Sequence, residues 1–201
     1  MRFKRPGILA RCIYPGAVFR IRTDKKLLCL TFDDGPDPGS TPGLLDILES
    51  FDIKAVFFCS GHAAEKYPDL TGSIRSKGHT VGNHGYDHPD GWRTPTKKYL
   101  ADIEKASAFS SQGILRPPYG RMKPDQYRRL RKEYEIILWD IMPYDFDKAF
   151  GSKRSLDIMK RRIRPGSIIV LHDRPGSAAV ELLPDFIRHA LSEGYGFTVP
   201  F

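Results

Sequence analysis

Cysteine is scarce in this 201-residue chain, which contains only Cys12, Cys29 and Cys59. Three cysteines cannot all pair within one chain, and these three lack the close spacing of a metal-binding cysteine motif. Cys29 and Cys59 lie in apolar runs, where packing in the core is the expected role. A disulfide framework is therefore not expected, and a reducing compartment is favoured.

Long apolar runs are also absent. No stretch approaches the roughly 20 apolar residues that a membrane-spanning helix needs. The N-terminus, Met1–Arg11, is basic, but its apolar run is too short for the core of a signal peptide. We therefore expect no membrane span and no export signal within this sequence, which favours a cytoplasmic or peripheral location.

Acidic residues are outnumbered, since 24 Asp and Glu stand against 32 Lys and Arg and leave a net charge of +8. Such a balance favours anionic partners. The two basic clusters, residues 128–132 and 160–164, each lie in a predicted helix, where such runs usually form a solvated face. Because no nucleic-acid-binding motif is present, we expect no nucleic-acid partner and only a weak contact with anionic surfaces.

The chain does contain a regular alternation of short apolar runs and helical stretches. The runs predict strands buried on both faces at Leu27–Phe32, Ala55–Cys59, Thr80–Gly82, Ile114–Leu115, Ile136–Trp139, Ile168–Leu171 and Phe197–Val199. The helical stretches are Pro42–Ser50, Pro68–Lys77, Pro95–Ser110, Pro124–Tyr134, Ser155–Arg162 and Val180–Glu193. This alternation predicts a parallel sheet with outer helices, closed as a barrel or open and doubly wound. We expect one catalytic domain over residues 27–201, preceded by an irregular arm over residues 1–26.

Two adjacent carboxylates, Asp33 and Asp34, directly follow the first predicted strand. Adjacent carboxylates repel each other, and a divalent cation or an arginine is the usual compensator. Because side-chain alternation breaks where a strand ends, both can reach one cleft, one on a metal and the other free to move protons. The alternative is a solvated turn, since Asp-Gly and Gly-Pro are ordinary turn signals.

His84 and His88 follow the third predicted strand and are four residues apart. On a helical turn this spacing puts both imidazoles within reach of one ion, and Asp34 or Asp33 is the natural third ligand. Two histidines and one carboxylate leave positions open for water and substrate, as in catalytic metal sites. The alternative is a pair of surface histidines on a loop.

Further polar residues follow the fourth, fifth and sixth predicted strands. They stand in Arg116-Pro117-Pro118-Tyr119, in Trp139-Asp140 followed by Asp145, and in Leu171-His172-Asp173. Because the carboxyl ends of parallel strands meet on one rim, we expect these residues to converge. Trp92 and Tyr86 could stack on a sugar ring there, although packing within the core or a loop is equally open.

Taken in order, the segments from Thr31–Pro36 to Leu171–Asp173 resemble the five motifs of the polysaccharide deacetylases of carbohydrate esterase family four. The resemblance covers roughly residues 27 to 199. It implies a distorted (β/α) barrel of about seven parallel strands. It also implies one divalent metal ion, with Zn²⁺ expected and Co²⁺, Mn²⁺ or Ni²⁺ as the other candidates, and hydrolysis of an N-acetyl or O-acetyl group on a glycan.

The resemblance also implies residue roles. Asp33 would be the general base, oriented by Arg116, and His172 the general acid, tuned by Asp145. The metal ligands would be Asp34, His84 and His88. The Tyr119 backbone N–H would stabilise the oxyanion, and Leu171 would help to line the acetyl pocket.

Two residues depart from the family pattern. Gly85 stands where Ser or Thr usually braces the loop between the histidines, and Phe146 stands where Trp often follows the aspartate. Fold and metal do not fix the substrate. Two alternatives therefore remain, a hydrolase of another amide, such as a cyclic imide or a small molecule, and a glycan-binding protein without turnover.

Overall fold

The computed structural model describes residues 8–111 and 113–201. Residues 1–7, which carry much of the basic N-terminus, lie outside the described residues. None of the helices within the described ranges is long and apolar enough to span a bilayer.

The centre of the protein is a parallel sheet that curls into a half-barrel inside a layer of helices, in a single domain. The strands are β1 (Leu27–Asp34), β2 (Val56–Cys59), β3 (Thr80–Asn83), β4 (Ile114–Leu115), β5 (Glu135–Ile136), β6 (Ile168–His172) and β7 (Gly196–Phe197). They are hydrogen-bonded in the order β5-β4-β3-β2-β1-β6, and β7 pairs with β1. All of these pairings are parallel, which confirms the predicted fold class.

The helices connect successive strands and cover the sheet. They are α1 (Ile8–Ile13), α2 (Thr41–Ser50), α3 (Gly61–Lys66), α4 (Pro68–Ser76), α5 (Thr96–Ser107), α6 (Pro124–Leu130), α7 (Ser152–Arg162) and α8 (Ala179–Ser192). The main apolar cluster lies between the sheet and helices such as α2 and α8, and includes Phe32, Phe57, Leu44 and Phe186, all fully buried. Burying one such side chain contributes about 2 kcal/mol.

The fifth strand differs from its predicted extent of Ile136–Trp139, since regular pairing ends at Ile136. The next two carbonyls are used by the Arg116 side chain, whose Nε donates to Ile137 O at 3.2 Å and whose Nη2 donates to Leu138 O at 2.9 Å. The backbone there also bridges to Val18. Arg116 thus takes the place of a neighbouring strand.

The segment before β1 contacts the sheet. Val18 forms a parallel bridge with Ile137, and Arg20 forms an antiparallel bridge with Ser167. The Tyr14 hydroxyl donates to the carbonyl oxygen of Met122 at 2.8 Å. The placement of a domain boundary at residue 27 stays a prediction.

The strand register brings the carboxyl ends of the central strands to one level. Asp33 of β1 pairs with His172 of β6, and Asp34 pairs with Cys59 of β2. Cys59 pairs with Asn83 of β3, and Asn83 with Leu115 of β4. The residues at or just after these positions therefore meet on one rim.

Candidate active site

A cavity of about 220 Å³ opens on this rim. Most of its lining residues carry charged or aromatic side chains, namely Asp33, Asp34, His84, His88, Tyr119, Gly120, Arg121, Trp139, Met142, Phe146, His172 and Arg174. The two carboxylates of the first motif, both histidines of the second and the histidine of the last therefore line one cavity. The left-handed backbone of Asp34, with φ of 81°, ends the strand alternation and lets both carboxylates reach the cavity.

Asp34, His84 and His88 form a three-residue group that could hold a metal ion, with ligand atoms within 4.8 Å of one another. Asp34 Oδ1 lies 3.6 Å from His84 Nε2 and 3.2 Å from His88 Nε2. The His84 Nδ1–H donates to the carbonyl oxygen of Arg116 at 2.7 Å, which leaves Nε2 as the ring nitrogen that faces Asp34. Burial alone would raise the pKa of Asp34, but hydrogen bonds with both histidines hold it well below its usual range.

Asp33 has different partners from its neighbour. Its Oδ1 accepts a hydrogen bond from Arg116 Nη1 at 2.7 Å, and its Oδ2 lies 3.9 Å from His84 Nε2. Arg116 is fully buried, and the same Nη1 donates to Thr31 Oγ1 at 2.6 Å. Because several backbone and side-chain acceptors fix the guanidinium, the Asp33 carboxylate is held in one orientation and neutralised by a buried cation.

His172, the strand-register partner of Asp33 on β6, contacts Asp145. The Nδ1 atom lies 3.0 Å from Asp145 Oδ1, and the His172 backbone N–H donates to Asp145 Oδ2 at 2.8 Å. Ser177 Oγ donates to the same carboxylate oxygen at 2.8 Å. Burial would lower the pKa of His172, but the charge and hydrogen bond of Asp145 outweigh it and raise the pKa above its ordinary value.

The residues predicted to contact the substrate do not all lie at the cavity. Leu171 is fully buried in the apolar core, and Tyr86 is buried under the Lys105 ammonium group, which lies 3.2 Å from the ring centroid. Neither lines the cavity. Trp92 is 53% exposed and adjoins the cavity through Arg121, whose guanidinium carbon lies 5.0 Å from the indole ring. The Tyr119 ring is exposed and stands edge-on to His88 at 4.6 Å.

Three lining residues were not singled out by the sequence, namely Arg121, Met142 and Arg174. Arg174 follows His172 by two residues, so its position just beyond a strand end was the available signal. Asp140, which was grouped with the site, instead binds Arg164 and Ser167, with Arg164 Nε donating to Asp140 Oδ2 at 3.0 Å. Asp173 accepts hydrogen bonds from Ser40 and Thr41, each at 2.6 Å, behind the first motif.

The loop between the two histidines is braced by Asp102 of α5. Asp102 accepts from the Tyr86 N–H at 2.8 Å and from the Asp87 N–H at 2.9 Å. Gly85 has φ of +73°, and a Cβ there would lie 2.9 Å from Asp102 Oδ1. A carboxylate from a neighbouring helix therefore supports the loop that a Ser or Thr hydroxyl was expected to support.

The chain also matches a known protein family. The polysaccharide deacetylase family profile matches residues 20–137, more than half of the chain. The chain belongs to the polysaccharide deacetylase family. This confirms the family that the sequence resembled, and the half-barrel is the distorted (β/α) barrel that the resemblance implied.

Several relatives of this chain are named as peptidoglycan deacetylases. A peptidoglycan N-acetylglucosamine deacetylase of Bacillus cereus is 31% identical over 188 residues, which cover 88% of this chain and 68% of that protein. PdaA of Bacillus subtilis, a peptidoglycan N-acetylmuramic acid deacetylase, is 30% identical over 186 residues, with 87% and 70% coverage. The structure of Bacillus subtilis PdaA, a family 4 carbohydrate esterase, matches with a TM-score of 0.83 at 26% identity, over 98% of this chain and 93% of that one.

A relative without activity is also similar in structure. A family 4 pseudoenzyme from Bacillus anthracis matches with a TM-score of 0.79 at 25% identity, over 91% of this chain and 66% of that one. Family membership supports a hydrolase that deacetylates glycans.

Proposed function

We propose that this protein removes N-acetyl groups from amino sugars of peptidoglycan type, using one divalent metal ion, with zinc as the expected ion. The observation that carries the proposal is the sharing of one cavity by a three-ligand group, an Asp–Arg pair and a His172–Asp145 pair. The names of the relatives favour an N-acetyl over an O-acetyl substrate.

The three ligands fit a catalytic metal site. One carboxylate and two neutral imidazoles suit zinc, and cobalt, manganese or nickel can use the same atoms. Asp34, His84 and His88 would hold the divalent ion, which would supply Lewis-acid chemistry by activating water and polarising the acetyl carbonyl. The remaining chemistry belongs to the side chains around these ligands.

Asp33 takes the proton of the attacking water. Its buried pairing with Arg116 orients the carboxylate toward the cavity while leaving Oδ2 outside that hydrogen bond. The Tyr119 backbone N–H is the proposed donor to the tetrahedral oxyanion, a contact worth roughly 3 kcal/mol. His172, held cationic by Asp145, donates its proton to the departing nitrogen, so that the C–N bond breaks and acetate and a free amine form.

An acetate-release screen tests the proposal. The purified protein, stripped with a chelator and reloaded with zinc or cobalt, is incubated with chito-oligosaccharides, peptidoglycan fragments, acetylated xylan and a cyclic imide. We expect one ion per chain and acetate from the N-acetylated sugars, and we expect His88→Ala to lose both.

Two results would contradict it. Binding of one ion and of glycans without acetate release from any sugar would indicate a binding protein, as the similar pseudoenzyme makes conceivable. Turnover of the cyclic imide alone would indicate the other hydrolase class.

A further inference from the structure

Arg174 is a cation on the cavity wall with no role in the chemistry above. Its Nη1 lies 3.4 Å from Asp34 Oδ2, and its guanidinium carbon lies 5.3 Å from the centroid of the Phe146 ring. The side chain is 44% exposed. It is therefore held at two points while much of the guanidinium still faces solvent at the cavity.

The other charges of the cavity each have a dedicated partner. Arg116 neutralises Asp33, Asp145 faces His172, and Asp90 binds Arg121 at 3.0 Å. Asp34 is shared, because its Oδ1 faces the two histidines and its Oδ2 faces Arg174. If a divalent ion is bound to Asp34, the guanidinium of Arg174 carries the least compensated positive charge among the cavity side chains.

Phe146 relates the position of the Arg174 guanidinium to that of His172, the proposed general acid. Its ring contacts both Arg174 and His172, the latter with 4.5 Å between centroids. An anionic group bound by Arg174 would thus sit beside the general acid, close to the amide being cleaved. Because a guanidinium presents paired N–H donors in a plane, a carboxylate is the anion whose geometry it fits best.

We propose that Arg174 binds a carboxylate substituent on the substrate and so selects an acidic N-acetylated amino sugar over a neutral one. The inference rests on the proposed function and narrows its substrate class. The net charge of +8 acts in the same direction, since it favours the approach of anionic glycans.

The kinetic test compares two oligosaccharides of equal length, one bearing a carboxylate on the N-acetylated sugar and one without it. Arg174→Gln should lower the ratio of kcat/KM for the acidic over the neutral substrate by about tenfold or more, mainly through KM. Arg174→Lys should retain part of the preference. Arg188→Gln on α8 removes an exposed positive charge that does not line the cavity and should leave the ratio unchanged. An equal loss on both substrates would overturn the proposal and assign Arg174 to positioning Asp34.

A binding measurement separates this proposal from the proposed function. Trp139 lines the cavity, so tryptophan fluorescence of the zinc-loaded Asp33→Asn variant, in which turnover is expected to be slow, can report sugar binding. We expect the carboxylate sugar to bind more tightly than the neutral sugar, with the difference lost when Arg174→Gln is added and reduced at high salt. Equal affinities in the zinc-loaded Asp33→Asn protein would overturn the role of Arg174. A binding preference with no acetate release from the unmodified protein would instead support Arg174 and overturn the deacetylase proposal.

Discussion

At the scale of single residues, the adjacent aspartates are told apart by their partners. Asp33 binds the buried Arg116, whereas Asp34 faces two histidines. Asp33→Asn removes the proton acceptor but keeps the shape of the side chain, so kcat should fall by roughly 10²–10⁴-fold while zinc affinity changes little. Asp34→Asn is the matched variant, and calorimetric titration should show that it loses the metal. Near-normal turnover of Asp33→Asn would assign the base elsewhere.

The pH dependence of the reaction should report the coupling between His172 and Asp145. A general acid must be protonated, so the basic limb of kcat/KM follows the pKa of His172, which Asp145 raises. Asp145→Asn should therefore move that limb to lower pH and slow the reaction, and His172→Ala should cost roughly 10²–10⁴-fold. Ser177→Ala removes one hydrogen bond to Asp145 but no charge, so it should move the limb less. An unmoved limb in Asp145→Asn means that another group sets it.

We expect Trp92 to hold a polymeric substrate beyond the cavity. Its indole N–H donates to the carbonyl oxygen of Met122 at 3.1 Å, which leaves the exposed ring fixed beside Arg121. Trp92→Ala should raise KM for long oligosaccharides with little change in kcat, as expected when uniform binding is lost. Leu191→Ala on α8 removes exposed apolar surface elsewhere and serves as the control. The same KM for every accepted glycan would count against this role.

At the scale of elements, the loop between β3 and α5 depends on Asp102. This carboxylate accepts two backbone N–H groups of the loop that carries both histidines. Asp102→Ala should therefore weaken zinc binding by about 10–100-fold, the usual effect of losing support behind metal ligands. Glu104→Ala, on the exposed side of the same helix, should leave the affinity unchanged. A loss of stability without a loss of affinity would show that Asp102 supports the fold alone.

The element boundaries show what the sequence could predict. Each of the seven strands in the described part of the chain overlaps a predicted strand, since apolar runs mark the buried ones. The helices α1 and α3 were missed because each has only six residues, and α3 begins at a glycine. Its start is instead set by Ser60, whose Oγ accepts the Ala63 N–H at 3.3 Å. The shortening of β5 could not be foreseen either, since it depends on an arginine about twenty residues away in sequence.

The same limit applies to the site. Residues that follow strand ends could be gathered from the sequence because parallel strands share a rim. The sequence did not show that Asp140 binds Arg164 instead of lining the cavity. It also did not show that Asp102, on a helix, hydrogen-bonds to the loop that carries the two histidines. These contacts depend on packing between distant segments rather than on local pattern.

At the scale of the whole molecule, pH should act on stability through buried groups outside the site. His79 is buried, its Nδ1 accepts the Ala55 N–H at 3.1 Å, and its ring stands edge-on to Phe57. Burial, aided by Lys54 and Lys77, lowers its pKa from 6.5 to about 4. Asp173 shifts in the opposite sense, since burial raises its pKa to about 6 despite the hydrogen bonds of Ser40 and Thr41.

The signs of these two contributions differ. The unfolded chain takes up a proton on His79 below pH 6.5 while the folded chain does not, so this contribution to stability is lost as pH falls from about 6.5 to 4. The folded chain holds a proton on Asp173 that the unfolded chain releases, so this contribution is gained as pH falls through about 6. Because the two partly cancel, only a difference between variants can isolate either one.

His79→Asn isolates the histidine. An asparagine Oδ1 can accept the Ala55 N–H in place of Nδ1 but does not titrate. The free energy of unfolding of the variant should therefore lack the decrease on acidification that His79 causes. We expect the free energy of unfolding of the wild type to fall relative to that of the variant by about 2 kcal/mol between pH 7 and pH 4. Urea unfolding at several pH values measures this difference, and His189→Asn, on the surface-facing end of α8, is the control. Parallel pH profiles for wild type and His79→Asn would show that His79 titrates normally and that its burial is tolerated in the charged form.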